Sequence, residues 1–250
     1  MPKDSFRFKQ FSIQQDRCAM KVGTDGVLLG AWADISGHSS DEGTFSILDI
    51  GAGTGIISLM LAQRVAETGK EFQIDAVEID KTAAEQAQEN LAASPWAKHI
   101  SIQPMSMQDF EQKDAANTYD LIVSNPPFYN ATLKPDDEGR AVARHKDSLP
   151  VSEIAQFARK KLANHGRLAL IYPTDYDSEV VTAVILSGLH PVRICDILTK
   201  EGKPCKRRMT EFSSDNIPVQ REQLAIRNAE GKYTDEYRAL TDDFYLHLTD

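Results

Sequence analysis

The glycine-rich turn within residues 45–55, FSILDIGAGTG, constrains the fold of this chain more than any other stretch. A short apolar run there ends in three glycines and is followed at once by an amphipathic segment, IISLMLAQRVA. This order predicts a buried strand, a tight turn and a helix. Glycines allow positive φ and leave no side chain between the backbone and a ligand. The free N–H groups at the start of the helix favour a polar ligand beside the turn.

The acidic residue before the turn, Asp49, argues against a dinucleotide site. A carboxylate repels a pyrophosphate, whereas it attracts a ligand that carries an ammonium group. We therefore expect a nucleoside cofactor that is less anionic than NAD, and S-adenosylmethionine meets that description. The residues expected to hold this cofactor are Asp49, Gly51, Gly53 and Gly55.

Residues 72–79, FQIDAVEI, predict the second strand, and its end carries a second acid, Glu78. A βαβ unit brings the end of this strand next to the glycine turn, where a carboxylate can accept both ribose hydroxyls. We assign that role to Glu78, because Asp80 fits better as the N-cap of the following helix. Met107, after the third predicted strand, is expected either to line the adenine end of the site or to belong to the core.

Strand and helix segments alternate along the remaining chain and predict a doubly wound α/β sheet. The segment YDLIVS reads as a strand buried on both faces, which is typical of a parallel sheet. From Ser152, SEIAQFARKKLANHG predicts a helix with a serine cap and a glycine stop. Residues 191–198 and 223–227 are expected to be two final strands, forming a hairpin around the loop at 200–219.

We divide the chain into an N-terminal extension, residues 1–44, and a main domain, residues 45–250. Two interpretations of the extension remain open. It is either a lid that folds over the cofactor, with residues 24–26 as a turn beside the pocket, or an edge hairpin that completes the core.

The candidate catalytic loop is Asn125-Pro126-Pro127-Phe128, which directly follows a predicted buried strand. Open α/β sheets bind ligands at this edge, and two prolines make a stiff corner there. The Asn125 side-chain oxygen and the Pro126 carbonyl can accept both N–H groups of a planar amine and turn its lone pair toward a methyl donor. Phe128 can stack on the ring that bears the amine. The alternative is a simple turn.

The motifs DIGAGTG, VEID and SNPPF, in this order and spacing, resemble those of class I S-adenosylmethionine-dependent methyltransferases that act on amino groups. FKQFSIQQDRCAMKVGTDGVLLGAWA, GRAVARHKDSL and DFYLHL are similar to the bacterial tRNA1(Val) adenine-N6 methyltransferases, which modify the adenine 3′ to the anticodon. The resemblance implies a Rossmann-like, mainly parallel sheet of seven strands whose last strand is antiparallel. It also implies the cofactor and catalytic roles given above. Ser106 is a departure, because related enzymes often carry there an acid that binds the cofactor's adenine amine.

The charge distribution restricts where an RNA partner can bind. The chain has a net charge of −9, and residues 31–120 contain five basic against fifteen acidic residues. An anticodon loop therefore needs a local basic rim, since phosphate contacts require cations. Two clusters are candidates, and the alternative for each is a solvated loop: Arg140, Arg144, His145, Lys146, Lys203, Lys206, Arg207 and Arg208.

Other functions share the NPPF-type loop, namely methylation of release-factor glutamine, of rRNA guanine N2 or of DNA adenine. A non-catalytic RNA-binding module is a further alternative. Only 44 residues precede the first predicted core strand, which leaves no room for an added target-recognition domain. The start lacks an apolar leader, no apolar run is long enough to cross a membrane, and three dispersed cysteines suggest free thiols. We therefore expect a cytoplasmic protein without a metal site, and a monomer, although the sequence does not determine its oligomeric state.

Overall fold

The computed structural model describes residues 4–18, 20–37, 43–114, 116–128 and 149–248. Two short strands, β1 (Ser5–Arg7) and β2 (Ser12–Gln14), pair as a separate antiparallel hairpin. The central sheet contains β3 (Phe45–Ile50), β4 (Phe72–Val77), β5 (Ile100–Gln103), β6 (Tyr119–Ser124), β7 (Leu162–Pro173), β8 (His190–Leu198), β9 (Cys205–Ser213) and β10 (Gln220–Ala225). The helices are α1 (Thr24–Trp32), α2 (Ile56–Glu67), α3 (Lys81–Ala92), α4 (Met107–Lys113), α5 (Val151–Lys161), α6 (Asp177–Leu186) and α7 (Asp235–Thr241).

The central sheet has the order β10-β8-β9-β7-β6-β3-β4-β5 and is parallel except for β9. The predicted doubly wound, mainly parallel α/β sheet is confirmed. It has eight strands in the described part of the chain rather than seven. None of the helices in the described ranges combines the length and apolar character needed to cross a bilayer.

The predicted hairpin between the last two strands is wrong. Strand β9, inside the expected loop at 200–219, lies between β7 and β8, and β10 pairs in parallel with β8. Strand β9 has three basic residues, Lys206, Arg207 and Arg208, directly after its first residue, and such a run is typical of an exposed loop. Arg207 pairs with Asp25, and Arg208 pairs with Asp177 and Asp196, so carboxylates of α1, α6 and β8 offset these charges.

The helix predicted from Ser152 is shorter than expected. Helix α5 ends at Lys161, and Pro150 rather than Ser152 occupies its N-cap position. The residues that follow belong to β7, because Leu162 already pairs with Tyr119 of β6. The pairing with a neighbouring strand therefore overrides the local helical pattern.

Helices cover both faces of the sheet, as expected for parallel strands. Alternate residues of β3 show the two layers, since Phe45 and Ile47 join one buried cluster while Leu48 and Ile50 join the other. The first cluster packs beneath α1, α2 and α3, and it also contains buried aromatic residues of the N-terminal hairpin. The described part of the extension therefore contributes to this core.

Helix α1 was not recognised in the sequence, because its glycines were read as turn signals. Residues 24–26 form its first turn instead of a separate turn. Gly26 and Gly30 are spaced i, i+4 and face α2, where a Cβ added to Gly30 would lie 3.0 Å from the Met60 side chain. These glycines therefore allow close packing of two helices.

Candidate active site

The centre of the sheet brings three predicted motifs to one edge. Strand β3 lies between β4 and β6, so the chain winds outward from it in both directions and leaves a crevice at the carboxyl ends. Ile50 is in register with Val77 and with Ser124. The residues that follow these three positions therefore begin at the same level and line one cavity of about 870 Å³.

The glycine turn forms the floor of this cavity. Gly51 and Gly53 have φ of +74° and +55°, and apart from the adjoining residues no atom in the described ranges lies within 4 Å of an added Cβ at either position. Gly55 has a different role, because a Cβ there would lie 3.3 Å from the Leu91 side chain of α3. The first two glycines expose the backbone to a ligand, and the third lets α3 pack closely.

Glu78 lies on the cavity wall and holds the glycine turn. Its Oε2 accepts a hydrogen bond from Gly53 N at 2.8 Å, and its Oε1 accepts one from Asp80 N at 2.9 Å. A carboxylate offers about four acceptor positions, so two bonds leave capacity for ribose hydroxyls. Asp80 is the N-cap of α3, as predicted, and accepts from Thr82 N and Ala83 N.

Asp49 lies behind the turn, and the described part of the cavity wall does not include it. It is fully buried, and its Oδ2 accepts from Ser58 Oγ at 2.7 Å and Ser58 N at 3.2 Å. Its Oδ1 is buried with no partner among the described residues. Burial raises the pKa of Asp49 to about 6, against the opposing hydrogen bonds from Ser58. A nearby positive ligand would therefore favour its ionised form.

The candidate catalytic loop is tied directly to the end of β3. Ser124 Oγ donates to the Ile50 carbonyl at 2.8 Å, which couples the two strand ends. Asn125, Pro126 and Pro127 line the cavity. The half-buried side chain of Asn125 makes no hydrogen bond within the described ranges.

Phe128 lies beside the cavity instead of in its described wall. Its ring centroid is 5.0 Å from that of Tyr176 and 6.2 Å from that of Tyr172. Neither tyrosine was predicted as a site residue; Tyr172 lies near the end of β7, and Tyr176 lies in the short helical turn that follows it. They support the side of the Phe128 ring that faces the protein.

Ser106, which replaces the acid often found in related enzymes, follows β5 at one end of the cavity. The Ser106 hydroxyl caps α4, accepting from Asp109 N at 3.0 Å and donating to Asp109 Oδ2 at 2.7 Å. Met107 is buried in the core and also lines the cavity, and its contact with the cofactor's adenine stays a prediction. Gln108 and Glu153, which hydrogen-bond to each other, complete this wall and were not predicted.

The N-terminal extension supplies the remaining wall, including Cys18, Met20, Thr24 and Asp25. Met20 is 56% exposed, which places it at the mouth of the cavity. Burial, together with the charges of Glu78 and Asp80, raises the pKa of the Cys18 thiol to about 11. The thiol is therefore neutral at physiological pH.

The predicted RNA-binding cations have different positions. Arg140, Arg144, His145 and Lys146 lie outside the described residues. Lys203 and Lys206 are exposed, and they lie at the cavity edge of the sheet because β9 runs antiparallel.

Two arginines near them already have acidic partners. Arg207 pairs with Asp25 of the cavity wall at 2.9 Å. Arg208 lies between Asp177 and Asp196, 2.7 Å from each, with its side chain only 19% exposed. Two carboxylates therefore already offset the charge of Arg208, and its contact with RNA stays a prediction.

Comparisons with known proteins agree with this geometry. The family model of the methyltransferase small domain matches residues 38–189. A tRNA1(Val) (adenine(37)-N6)-methyltransferase of Trichodesmium erythraeum is 45% identical over 249 residues, covering 98% of this chain and 99% of that protein. The protein of the same name from Bacteroides thetaiotaomicron is 41% identical over 248 residues, covering 99% and 100%. A solved structure described as a predicted O-methyltransferase of Agrobacterium tumefaciens has a TM-score of 0.65 at 16% identity, covering 88% of this chain and 96% of that one, which shows the shared fold alone.

The fold and the cavity define a class I methyltransferase that uses S-adenosylmethionine. The described residues fit this cofactor, because the open backbone at Gly51 and Gly53, the rim carboxylate of Glu78 and the unpaired Asp49 oxygen suit a cationic nucleoside. The chain belongs to the family of the tRNA1(Val) (adenine(37)-N6)-methyltransferases. The described residues contain no group of three or more His, Cys, Asp or Glu side chains arranged to hold a metal ion.

The raised pKa of Asp49 leads to a prediction about cofactor affinity. If the ionised carboxylate attracts the cofactor's positive charge, protonation competes with binding, so the dissociation constant will rise as the pH falls through about 6. Calorimetric titration between pH 5 and 7.5 measures this dependence. Asp49→Asn is the control and should bind more weakly at neutral pH with a flat profile. An equal pH slope in both proteins would assign the titration to another group.

Proposed function

We propose that this protein transfers the methyl group of S-adenosylmethionine to the N6 amine of adenine 37 in tRNA1(Val). The observation that carries the proposal is the register of Ile50 with Ser124, which places the glycine turn and the Asn125 loop side by side on one cavity. The activity in the names of the near-full-length relatives supports the choice of RNA and base.

Residues on three sides would hold the cofactor. The backbone at Gly51 and Gly53 receives the amino-acid part, Glu78 accepts from the ribose hydroxyls, and Met107 packs against the adenine. When bound, S-adenosylmethionine supplies an electrophilic methyl group on a sulfonium sulfur. The buried Asp49 carboxylate stabilises the positive charge from behind the turn.

The Asn125 loop would orient the adenine amine. The two N–H groups of the amine would donate to the Asn125 side-chain oxygen and to the Pro126 carbonyl. This arrangement favours a pyramidal nitrogen whose lone pair points toward the methyl group. With the cofactor bound, its methyl group would be the one transferred to the nitrogen held by this loop, and solvent would take the proton that the methylated nitrogen gives up. A strong base is unnecessary, because a cationic methylated amine is very acidic.

The adenine ring would stack on Phe128. Tyr172 and Tyr176 lie on the protein side of the Phe128 ring and limit the movement of that ring. Less side-chain entropy of Phe128 is therefore lost when a base binds. An anticodon loop suits this arrangement, since its bases can be splayed out without unpairing a helix.

The test of the substrate uses tritiated cofactor and separate pools of tRNA, ribosomes, DNA and release factor. Label is expected in tRNA, and then in a tRNA1(Val) transcript but not in the same transcript with guanine at position 37. Label in ribosomes or release factor would favour rRNA guanine N2 or glutamine as the methyl acceptor. Cofactor binding without transfer to any pool would favour a non-catalytic RNA-binding module.

We place the RNA at the carboxyl edge of the sheet, where Lys203 and Lys206 are exposed beyond the catalytic loop. Residues 1–44 act as an extension that completes one wall, and residues 45–250 form the methyltransferase domain. The reaction belongs in the cytoplasm, a compartment consistent with a tRNA substrate and with the free thiols of Cys18, Cys195 and Cys205.

Reversing charge at this edge should weaken RNA binding. In Lys203→Glu and Lys206→Glu, we expect the affinity for tRNA to fall several-fold. Each lost phosphate contact should also reduce, by about 1, the slope of the logarithm of the association constant against the logarithm of the salt concentration. Filter binding at several salt concentrations measures both. Lys98→Glu is the control, because Lys98 is exposed just before β5, at the opposite edge. An unchanged slope in both edge variants would remove these lysines from the interface.

A further inference from the structure

Helix α3 buries two side-chain amides, Gln86 and Asn90, spaced i, i+4 on the face that packs toward the cavity. The chemistry described above uses neither of them. A buried amide is costly unless its donors and acceptors are paired, so its partners show what it is holding in place.

Asn90 connects the glycine turn of the cavity wall to the end of β2, which lies a few residues before the N-terminal part of the wall. Its Oδ1 accepts from Gln14 N at 2.8 Å, and its Nδ2 donates to Gln14 O at 3.0 Å and Thr54 O at 3.0 Å. Gln14 ends β2 and leads into the N-terminal wall, whereas Thr54 belongs to the glycine turn. One buried side chain thus spans both.

Two side chains hold the glycine turn, one as a hydrogen-bond acceptor and the other as a hydrogen-bond donor. Glu78 accepts from Gly53 N on one side, and Asn90 donates to the Thr54 carbonyl on the other. Only an amide can donate to two carbonyls and also accept from the Gln14 N–H. Gln86 extends the same support, because its Oε1 accepts from Arg17 N at 3.0 Å just before the wall begins.

We propose that Asn90 is a positioning residue that sets the affinity for S-adenosylmethionine by fixing the glycine turn relative to the N-terminal wall. Its side chain is 3% exposed and takes no part in the described cavity wall, so it acts through Thr54 and Gln14. The inference depends on the methyltransferase class and concerns cofactor binding alone. It stands whichever RNA is methylated.

Asn90→Leu tests this role, since leucine has a similar volume and makes no hydrogen bond. By calorimetry well below the unfolding midpoint, the dissociation constant for S-adenosylmethionine should rise at least about tenfold, which corresponds to about 1.4 kcal/mol. Without Asn90 the free glycine turn is no longer held in one conformation, so the cofactor must order it on binding. Hydrogen exchange should accelerate in residues 14–25 and at the glycine turn, while strand β6 remains protected. Asn90→Asp should shift affinity in the same direction, because a carboxylate cannot donate to the Thr54 carbonyl.

The matched control is Gln63→Leu. Gln63 is a buried amide on α2 that donates to the Asp243 carbonyl at 3.1 Å, away from the described wall. Its loss should lower thermal stability but leave cofactor affinity within about twofold. Asn90 variants that lose stability and still bind with wild-type affinity would overturn the inference and leave Asn90 a purely structural residue. Should the leucine variant not fold, Asn90→Ser gives the same measurement, because its hydroxyl reaches at most one of the three partners.

Discussion

Replacing Asn125 by alanine will slow methyl transfer at least about a hundredfold while cofactor binding stays close to normal. The side chain lines the cavity, is half-buried and has no competing partner within the described residues. Its loss removes the acceptor that orients the substrate amine, and losing one such preorganised group typically costs about 2.7–4 kcal/mol of transition-state stabilisation. Single-turnover assays with saturating cofactor and tRNA measure the step directly.

The control for this variant is Asn117→Ala, which removes an exposed asparagine just before the opposite end of the same strand. That protein should turn over at the wild-type rate. If Asn125→Ala also retained wild-type turnover, orientation of the amine by this side chain would be refuted. A parallel loss of cofactor affinity would instead indicate that the loop had been displaced.

Replacing Glu78 by alanine will weaken S-adenosylmethionine binding by at least about a hundredfold. The carboxylate is expected to accept charge-assisted hydrogen bonds from the ribose, each worth about 1.5–3 kcal/mol. It also holds Gly53 N at 2.8 Å, so its loss loosens the turn that faces the cofactor. Calorimetric titration gives the dissociation constant, and the KM for tRNA should change far less.

Glu85→Ala provides the comparison, because Glu85 is an exposed carboxylate on α3 and pairs only loosely with Lys81, at 3.9 Å. Its cofactor affinity should match that of the wild-type protein. Near-normal affinity in Glu78→Ala would contradict a ribose contact and would restrict Glu78 to supporting the turn.

The elements closest to the sheet centre were predicted well, because local pattern and tertiary environment agree there. The run before Gly51 and the run before Asn125 are apolar on both faces, as a central parallel strand requires, and each ends in a turn signal. Asp80 as an N-cap was equally readable, since the capping bonds involve only the next residues.

The errors arose where distant residues change the meaning of a local signal. The arginines that open β9 resemble a solvated loop until Asp25, Asp177 and Asp196 are placed beside them. The glycines of α1 resemble turn residues until the side chains of α2, Ile56 at Gly26 and Met60 at Gly30, are placed beside them. No local pattern contains these partners.

The sequence by itself determined the class of fold, the order of the cofactor and catalytic motifs, and the residue types that suit a cationic nucleoside and a planar amine. These features depend on short-range spacing and on backbone preferences that act within a few residues. Only the tertiary structure decided that Asp49 lies behind the turn, that Arg208 is neutralised and that Asn90 joins β2 to the glycine turn. Each of these depends on burial and on hydrogen bonds between segments far apart in the chain, which exist only once the sheet has assembled.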